Sequence, residues 1–314
     1  MQQNKPELDP LEESRMTLGE HLDELRRRLI SSVAALFVVF IACWFFRDPI
    51  SHIVLKPGER AVGWIEEARV ELYEAKLVEA AAEADEKRAE GREVEFDPAA
   101  ARMEYFLTGD PEDQRLAKPT TWPPFADGAS GGFFFLVKCC FYFSLFIGGP
   151  YMLYQMWLFI AAGLYKSEKR AVYSYLPFSV GLFLFGVVFG YFMTVPYGYY
   201  FVASMALETV TLLPKIEVYF TFLSSLSLAM GIVFQLPVLM IGLARLELID
   251  PDSYGKYRGH FVISALVIAA LLTPPDPYTQ VMMAGPMVIL YEIGVHLSRL
   301  LVRRAKTTAS VVPS

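Results

Sequence analysis

Long runs of apolar residues are the feature that most constrains how this chain can fold. A helix needs about 20 apolar residues to cross the ~30 Å hydrocarbon core of a bilayer. Hydrophobic residues make up 54% of the 314-residue chain, and they are clustered into runs rather than spread evenly. The sequence therefore predicts an all-α integral membrane protein that crosses the bilayer several times.

Six runs are predicted to be membrane segments. The first four approach or exceed the length needed to cross, whereas the fifth has about 13 apolar residues before Pro274-Pro275 and the sixth contains Pro286. We expect these last two to be short and to form a re-entering hairpin that thins the bilayer locally, with an ordinary hairpin as the alternative. The six segments are 29–46, 133–160, 172–196, 218–244, 261–273 and 278–297.

Prolines recur within these segments. Each removes a backbone donor and is expected to bend its helix, so that the helices can wrap into a concave body. These prolines are Pro150, Pro177, Pro196, Pro237 and Pro286.

The loops alternate in charge, and every basic cluster falls on the same side of the predicted membrane. Because Lys and Arg are enriched in cytoplasmic loops, both chain termini are expected in the cytoplasm. The clusters are Arg15 with Arg26–Arg28, Lys166 with Lys169 and Arg170, Arg245 with Lys256 and Arg258, and Arg299 with Arg303, Arg304 and Lys306.

A long acidic insert follows the first segment and is predicted to lie outside. Residues 58–130 carry 18 acidic and 9 basic residues, a net charge of −9, whereas the rest of the chain carries 16 acidic and 19 basic residues, a net charge of +3. Its first half, Glu59–Gly91, is rich in Ala, Glu, Lys and Arg and predicts one long charged helix. The remainder predicts a loop with one short helix near 98–106, and a solvated outer cap is the simplest interpretation of the whole.

These features divide the chain into five parts. We expect a cytoplasmic amphipathic segment at 1–28, the first membrane helix with its outer end at 29–57, the insert at 58–132, the membrane body at 133–298 and a basic cytoplasmic tail at 299–314. The first 17 residues are polar and do not look like a secretory signal peptide.

Motifs that would indicate an enzyme or a metal site are weak. Ser130 lies in a GxSG pattern within a glycine-rich segment and has no base nearby, which favours a linker over an intramembrane serine protease. His21 and Glu24 are spaced i, i+3 but lack a third ligand at a sensible spacing. We therefore expect no enzymatic activity, no cofactor, no metal site and no nucleic-acid partner.

Small residues within the apolar runs predict packing rather than chemistry. Cys43, Cys139 and Cys140 show no metal-binding spacing and are expected to be small buried hydrophobes. Gly186 and Gly190 form a GxxxG pattern that is typical of close helix packing.

The stretch "GEHLDELRRRLI" (19–30) places acids as well as bases at the start of the first membrane segment. Asp23–Arg27 and Glu24–Arg28 are spaced i, i+4 with the acid first, the favourable order for pairs on a helix surface. Glu168, between Lys166 and Lys169, is predicted on the same membrane face as Glu24. Two carboxylates at this rim could hold a dication or two guanidinium groups.

Polar residues also occur in or beside the apolar segments, where such groups usually face a partner or a cavity. Gln235 lies in the fourth segment, Asp276 and Gln280 lie at the final hairpin, and Glu292 lies in the sixth segment. An ionised Glu292 at membrane depth would require a partner.

Five motifs together resemble the TatC family, the multi-spanning core of the twin-arginine protein translocase. They occur in the family's order and cover nearly the whole membrane body, although the insert is far longer than the usual first outer loop. The resemblance implies six spans in a concave, glove-like arrangement in a bacterial inner membrane, with both termini inside. The motifs are "HLDELRRRL" (21–29), "YQMWLFIAAGLYKSEKR" (154–170), "FQLPV" (234–238), "LLTPPDPYTQ" (271–280) and "YEIGVHLSR" (291–299).

The resemblance also implies roles for individual residues. Glu24 and Glu168 match the carboxylates that receive the twin-arginine signal peptide of a folded protein; Arg26 matches an arginine needed beside them, and Leu25 and Phe159 lie in the same motifs.

Other matched positions concern the membrane body and its partners. Thr273, Asp276 and Gln280 match a polar cluster where the single-span subunits TatA and TatB dock, and Gln235 stands where many members carry Glu. Pro57 matches a proline that follows the first segment, and Tyr191 matches an aromatic of the third. The family further implies a self-associating receptor complex whose transport is driven by the proton gradient.

Two functions of different classes follow from the sequence. The favoured one is a recognition and assembly platform for twin-arginine signal peptides. The alternative is a secondary transporter of a small solute that uses Glu292, Gln235 and Asp276 as its pathway, and the lack of an internal repeat disfavours it.

Overall fold

The structure, a computed structural model, describes residues 18–91, 122, 124–126, 128–164, 166–205, 214–246, 248–273 and 276–311. Within the helices, the side chains of 18, 73, 76, 129, 166–172 and 303–311 lie outside that description. The described chain is helical, and its β-type pairing consists of an isolated bridge between Phe125 and Lys215. The predicted all-α fold is confirmed.

Ten α-helices and one π-helix make up the described chain. They are α1 (Leu18–Phe45), α2 (Arg47–Ala89), α3 (Gly128–Ala162), α4 (Lys166–Phe189), the π-helix (Gly190–Thr194), α5 (Val195–Ser204), α6 (Ile216–Val233), α7 (Leu236–Arg245), α8 (Pro251–Lys256), α9 (Arg258–Leu272) and α10 (Pro277–Val311).

Five helical stretches are long and apolar enough to cross a membrane, and α9 is a shorter apolar helix. The predicted first four segments and the short fifth segment are therefore seen as helices. The five long stretches are Gly19–Phe45, Ser130–Ala162, Tyr173–Ser204, Ile216–Arg245 and Pro277–Val302.

The last membrane segment differs from the prediction, because α10 is neither short nor broken. It runs through Pro286 from Pro277 to Val311, and its apolar stretch reaches Val302. One proline removes one backbone donor, and the helix continues because its other residues keep their hydrogen bonds. The expected hairpin of two short segments is thus correct for α9 and wrong for α10.

The helix of the insert starts earlier than predicted. α2 begins at Arg47 rather than Glu59 and continues through Pro57, so the expected boundary between 57 and 58 falls inside one helix. Its C-terminus is close to the prediction, and Gly91 follows with a φ of 80°, the left-handed conformation that glycine adopts after a helix. The short helix predicted near 98–106 lies outside the described residues.

A buried stripe explains why α2 forms one helix from its start. Apolar residues recur at helical spacing over its first half, so a continuous helix turns one face towards the core. The stripe consists of Ile50, Val54, Ala61, Val62 and Ile65.

The prolines have two different effects on the helices. Pro237 follows a break at Phe234–Gln235 that separates α6 from α7, and Pro196 lies in the first turn of α5, directly after the π-helix. The other three are accommodated within continuous helices: Pro150, Pro177 and Pro286.

The GxxxG pattern lets the end of α4 and the start of the π-helix approach α6 closely. A Cβ atom added to Gly186 would lie 2.6 Å from the Met230 carbonyl oxygen, and one added to Gly190 would lie 2.7 Å from the Ser227 Cα. Any larger residue would push the two helices apart, so the predicted packing role is confirmed.

α1 and α3 pack against each other in antiparallel directions. The Cys140 thiol contacts the Cys43 carbonyl oxygen at 3.6 Å near one end, and the His21 ring stacks on Phe159 near the other. All three cysteines are free and buried, as predicted. The start of α1 therefore lies beside the end of α3.

Candidate functional site

The stretch 19–30, with its acidic and basic residues, lies where the first turns of α1 meet the end of α3. The Glu24 carboxylate forms an ion pair with Arg28, one turn further along the same helix. The Arg28 Nη1 also donates to Gln155 Oε1 on α3, at 3.1 Å. Only 15% of the Glu24 side chain and 18% of the Arg28 side chain are exposed, so this pair is partly withdrawn from water.

A chain of hydrogen bonds continues from Arg28 into the α1–α3 contact. The Gln155 Nε2 donates to the Tyr151 hydroxyl at 2.6 Å, and that hydroxyl lies 2.7 Å from the Ser31 Oγ. We call Glu24, Arg28, Gln155, Tyr151 and Ser31 the Glu24 network. It holds the side-chain amide of Gln155 in one orientation, with its oxygen towards Arg28.

An apolar groove of about 450 Å³ runs beside this network. We call it the α1–α3 groove, although α4 and α6 contribute to one wall. Arg28 and Gln155 belong to both the network and the groove lining. The other lining residues are Leu25, Leu29, Ser32, Leu145, Gly149, Met152, Leu153, Met156, Phe159, Phe183, Leu228 and Ile232.

The structure brings several predicted site residues together here. Leu25 and Phe159 line the groove, and Glu24 binds Arg28 at its wall. Arg26 is exposed on α1. The predicted Asp23–Arg27 pair is not among the ion pairs of the described chain. Both residues are exposed, and an ion pair at a solvated surface contributes little free energy.

Glu168 is placed by the backbone alone, since its side chain lies outside the described residues. Gly163 abuts the His21 ring, because a Cβ atom there would lie 3.4 Å from the His21 Cε1. Glu168 follows five residues later in the first turn of α4, so its backbone is at most about 18 Å from Gly163. Glu24 and Glu168 therefore share one end of the helical bundle.

Gln235 is bonded within the membrane body rather than directed at an open cavity. Its Nε2 donates to the Ser179 carbonyl oxygen at 3.0 Å, and its Oε1 accepts from the Ser179 hydroxyl. The Trp157 indole N–H in turn donates to that hydroxyl at 2.9 Å. These bonds join α3, α4 and the break between α6 and α7.

Glu292 also has a partner. Its carboxylate accepts from Arg258 Nη2 at 2.8 Å, and His296 Nε2 lies 4.0 Å away. The Glu292 side chain, on α10, is 36% exposed and is paired with the first residue of α9. It is therefore not an isolated charge at membrane depth.

The polar residues of the final hairpin mostly stabilise the hairpin itself. Asp276 caps the start of α10, since its Oδ1 accepts from the Thr279 backbone N–H at 2.7 Å and its Oδ2 from the Thr279 hydroxyl. The Thr273 hydroxyl donates to the Ala269 carbonyl oxygen at 2.9 Å. The Gln280 Nε2 donates to the Leu266 carbonyl oxygen at 2.9 Å and links the two helices.

Tyr191 and Pro57 meet at a second apolar groove, of about 380 Å³, between α2 and the α3–α4 pair. The Tyr191 hydroxyl donates to the Ile53 carbonyl oxygen and ties the π-helix to α2. This bond helps to fix α2 on the membrane body, and Pro57 lines the groove beside it.

Two alternative sites from the sequence gain no support. Ser130 is exposed in the first turn of α3, and no hydrogen bond of the described chain joins it to a histidine. The described residues also contain no group of three metal-ligating side chains, and His21 stacks on Phe159 instead.

Sequence reasoning missed Gln155, Tyr151 and Ser31. Gln155 is a polar residue inside an apolar segment, the same signal that pointed to Gln235, and it lies in a quoted motif. Its bond to Arg28 depends on the packing of α1 against α3, which helical spacing alone does not reveal.

Comparison with known proteins shows what this chain is similar to. A sequence model of the family described as "Sec-independent protein translocase protein (TatC)" matches residues 20–286. The TatC protein of Desulforapulum autotrophicum is 30% identical over 284 residues, which cover 90% of this chain and 84% of that protein. The TatC protein of Escherichia coli K12 is 30% identical over 294 residues, which cover 94% of this chain and 92% of that protein.

Solved structures give the same likeness. A crystal structure of the twin arginine translocase receptor TatC has a TM-score of 0.58 and 26% identity, and the match covers 89% of this chain and 98% of that one. A second crystal structure of that receptor, in the detergent DDM, has a TM-score of 0.62 and 26% identity, with coverage of 88% and 99%.

Proposed function

The chain belongs to the TatC family of Sec-independent protein translocase proteins, and we propose that it is the subunit that receives the twin-arginine signal peptide. It is a membrane-embedded component of the twin-arginine translocase and not an enzyme. The observation that carries the proposal is a partly buried carboxylate, Glu24, paired at the wall of the apolar α1–α3 groove. A signal peptide with adjacent arginines and an apolar stretch needs both features.

Carboxylates suit arginine better than lysine. Guanidinium is planar, always charged and able to donate two parallel N–H bonds to one carboxylate, whereas ammonium is a point charge. An exposed ion pair contributes only about 0–1 kcal/mol, but the Glu24 site is largely covered. Burial of an apolar stretch in the adjoining groove adds to this contact.

Glu168 is the proposed second acceptor. It lies at the same end of the bundle as Glu24 and is flanked in sequence by Lys166 and Lys169. Two carboxylates at a fixed separation select for a pair of arginines, because a single cation cannot contact both carboxylates. Arg26, exposed beside Glu24, is proposed to contact the peptide or the lipid surface.

We propose that the final hairpin serves the other subunits of the complex, single-span proteins of the TatA and TatB type. Gln280 uses its amide nitrogen within the hairpin, and no hydrogen bond to its amide oxygen is seen in the described chain, which leaves an acceptor for a partner. Thr273 and Asp276 support this surface by fixing the ends of α9 and α10. Several copies are proposed to associate in the receptor complex.

The orientation is also a proposal. The basic clusters support a bacterial inner-membrane location with both termini in the cytoplasm. The start of α1 lies beside the end of α3, and both segments adjoin basic clusters. The Glu24 site would therefore face the cytoplasm, where the folded substrates are.

A solute transporter is not favoured. Its proposed pathway residues occupy three separate bonded positions: Gln235 binds Ser179, Glu292 binds Arg258, and Asp276 caps α10. They do not line one common cavity in the described structure.

Photo-crosslinking of a twin-arginine signal peptide to the protein in membranes tests the proposal. Glu24→Ala and Glu168→Ala should each weaken crosslinking, and the double variant should abolish it. Asp23→Ala is the matched control, because it removes an exposed carboxylate one residue from Glu24. Crosslinking that survives in the double variant would refute the assignment of both acceptors.

A further inference from the structure

We propose that Arg28 is a built-in competitor for the position that a signal-peptide arginine takes on Glu24, and that Gln155 retains Arg28 after it is displaced. The inference rests on the proposed function, because it takes Glu24 as the acceptor. It adds a regulatory residue to that site.

The internal arginine is an incomplete ligand for Glu24. Its guanidinium divides its contacts, with Nη2 towards Glu24 and Nη1 towards Gln155. The Nε atom of Arg28 is buried and has no hydrogen-bond partner. Glu24 therefore receives one nitrogen of Arg28, whereas the strongest guanidinium–carboxylate contact uses two parallel N–H bonds.

An incoming arginine can offer what Arg28 does not. A guanidinium that approaches Glu24 from solvent is free to present two nitrogens to the carboxylate. Arg28 then loses one contact and keeps the other, since Gln155 is held in place by Tyr151 and Ser31. The exchange needs a change of side-chain rotamer only, so the helices can keep their positions.

The groove makes the exchange sensitive to the rest of the peptide. Arg28 and Gln155 line the α1–α3 groove together with Leu25 and Phe159. An apolar stretch that enters the groove contacts the side chain that has to move. Peptides that combine arginine with an apolar stretch therefore displace Arg28 most readily.

Competition of this kind raises the peptide concentration that is needed for binding, but it does not change the preference between arginine and lysine. An internal competitor with pairing constant K lowers the affinity of every peptide that needs Glu24 by the factor 1 + K, whether the peptide carries arginine or lysine. Weak peptides then fall below the concentration at which they occupy the site, while tight ones still bind. Without the competitor, weak and tight peptides would both occupy the site.

The test is the affinity of a fluorescent synthetic twin-arginine peptide for the full-length protein in lipid nanodiscs. Arg28→Gln should increase affinity by roughly two- to sixfold, the factor 1 + K that follows from the pairing energies of such i, i+4 ion pairs. A peptide with lysines in place of the arginines should gain by the same factor. Arg27→Gln is the matched control: it removes the same charge from an exposed neighbour that lacks an ion pair in the described chain, and its affinity should stay within twofold.

A second variant keeps Arg28 in place. Gln155→Glu offers Arg28 a competing carboxylate and should also raise peptide affinity, by drawing Arg28 away from Glu24. In the Glu24→Gln background, Gln155→Glu should not restore binding, which separates release of Glu24 from direct attraction of the peptide by the new carboxylate. With that comparison, this arm tests the competitor even if Arg28→Gln elutes as an aggregate in size-exclusion chromatography.

Each outcome decides between the two proposals. Increased affinity in Arg28→Gln and Gln155→Glu, with Arg27→Gln unchanged, supports the competitor. Unchanged or weaker binding in both variants, together with loss of binding in Glu24→Gln, overturns the competitor and leaves the proposed function intact; Arg28 then positions Glu24. Full binding in Glu24→Gln refutes the proposed function itself.

Discussion

Replacing Gln235 with leucine tests whether this residue has a structural role. Gln235 exchanges two hydrogen bonds with Ser179, and Ser179 also accepts from Trp157. Leucine has a similar size and keeps the apolar contacts, so the change isolates the loss of the two bonds. It also leaves the fully buried Ser179 hydroxyl without its acceptor.

The expected cost follows from these losses. Interhelical hydrogen bonds in membrane proteins contribute about 0.6 kcal/mol on average and up to ~1.7 kcal/mol. A buried polar group left unpaired costs about 1–3 kcal/mol. Gln235→Leu should therefore lower the free energy of unfolding by about 1–3 kcal/mol, measured in mixed micelles of a mild detergent and SDS. Peptide affinity at Glu24 should not change.

A double-mutant cycle separates the bonds from a general packing defect. Ser179→Ala removes the partner, so the double variant should cost less than the sum of the single variants by about 1 kcal/mol. Ser225→Ala is the matched control, because the Ser225 hydroxyl donates within its own helix to Phe222. Additive effects, or a loss below 0.3 kcal/mol in Gln235→Leu, would show that the reasoning is wrong.

Three further predictions concern other parts of the body. Gly186→Leu should prevent stable folding, because its Cβ atom would lie 2.6 Å from a carbonyl oxygen of α6, whereas Gly181→Leu, with no atom within 4 Å, should elute as the wild type in size-exclusion chromatography. Asp276→Ala should lower the melting temperature through loss of an N-cap worth about 1 kcal/mol, and Asp276→Asn should restore most of it. Glu292→Gln should cost less than about 1 kcal/mol in the same unfolding assay, because its pair with Arg258 is partly exposed, and a larger loss would contradict that interpretation.

The membrane helices could be predicted because their signals are local. An apolar run of sufficient length forms a helix wherever it packs, and the positions of α1, α3, α4 and α6 follow from that rule. Close packing at Gly186 was also predictable, since two glycines four residues apart leave a flat helix surface. The start of α2 was not, because the charged composition that predicted this helix begins at Glu59, whereas the buried stripe extends the helix further towards its N-terminus.

The candidate site could be predicted only in part. Glu24 was identified from charges that membrane orientation does not require, and its pair with Arg28 from helical spacing. The bond from Arg28 to Gln155 joins residues far apart in sequence, so it depends on tertiary packing. The same is true of Gln235 and Glu292, which the sequence marked as unusual without revealing their partners.

The hydrogen-bond and ion-pair partners of a polar residue indicate whether it has a structural role or can exchange its partner for a ligand. Gln235 uses both amide atoms on Ser179, a buried residue of a neighbouring helix, so a ligand could reach it only by separating the helices. Glu24 is paired with a flexible side chain of its own helix, and that side chain has a second acceptor in Gln155 and an open groove beside it. Releasing Glu24 therefore requires only a change of rotamer. The proposed receptor function requires an acceptor of this kind, which is paired in the absence of a peptide and is readily released when an arginine binds.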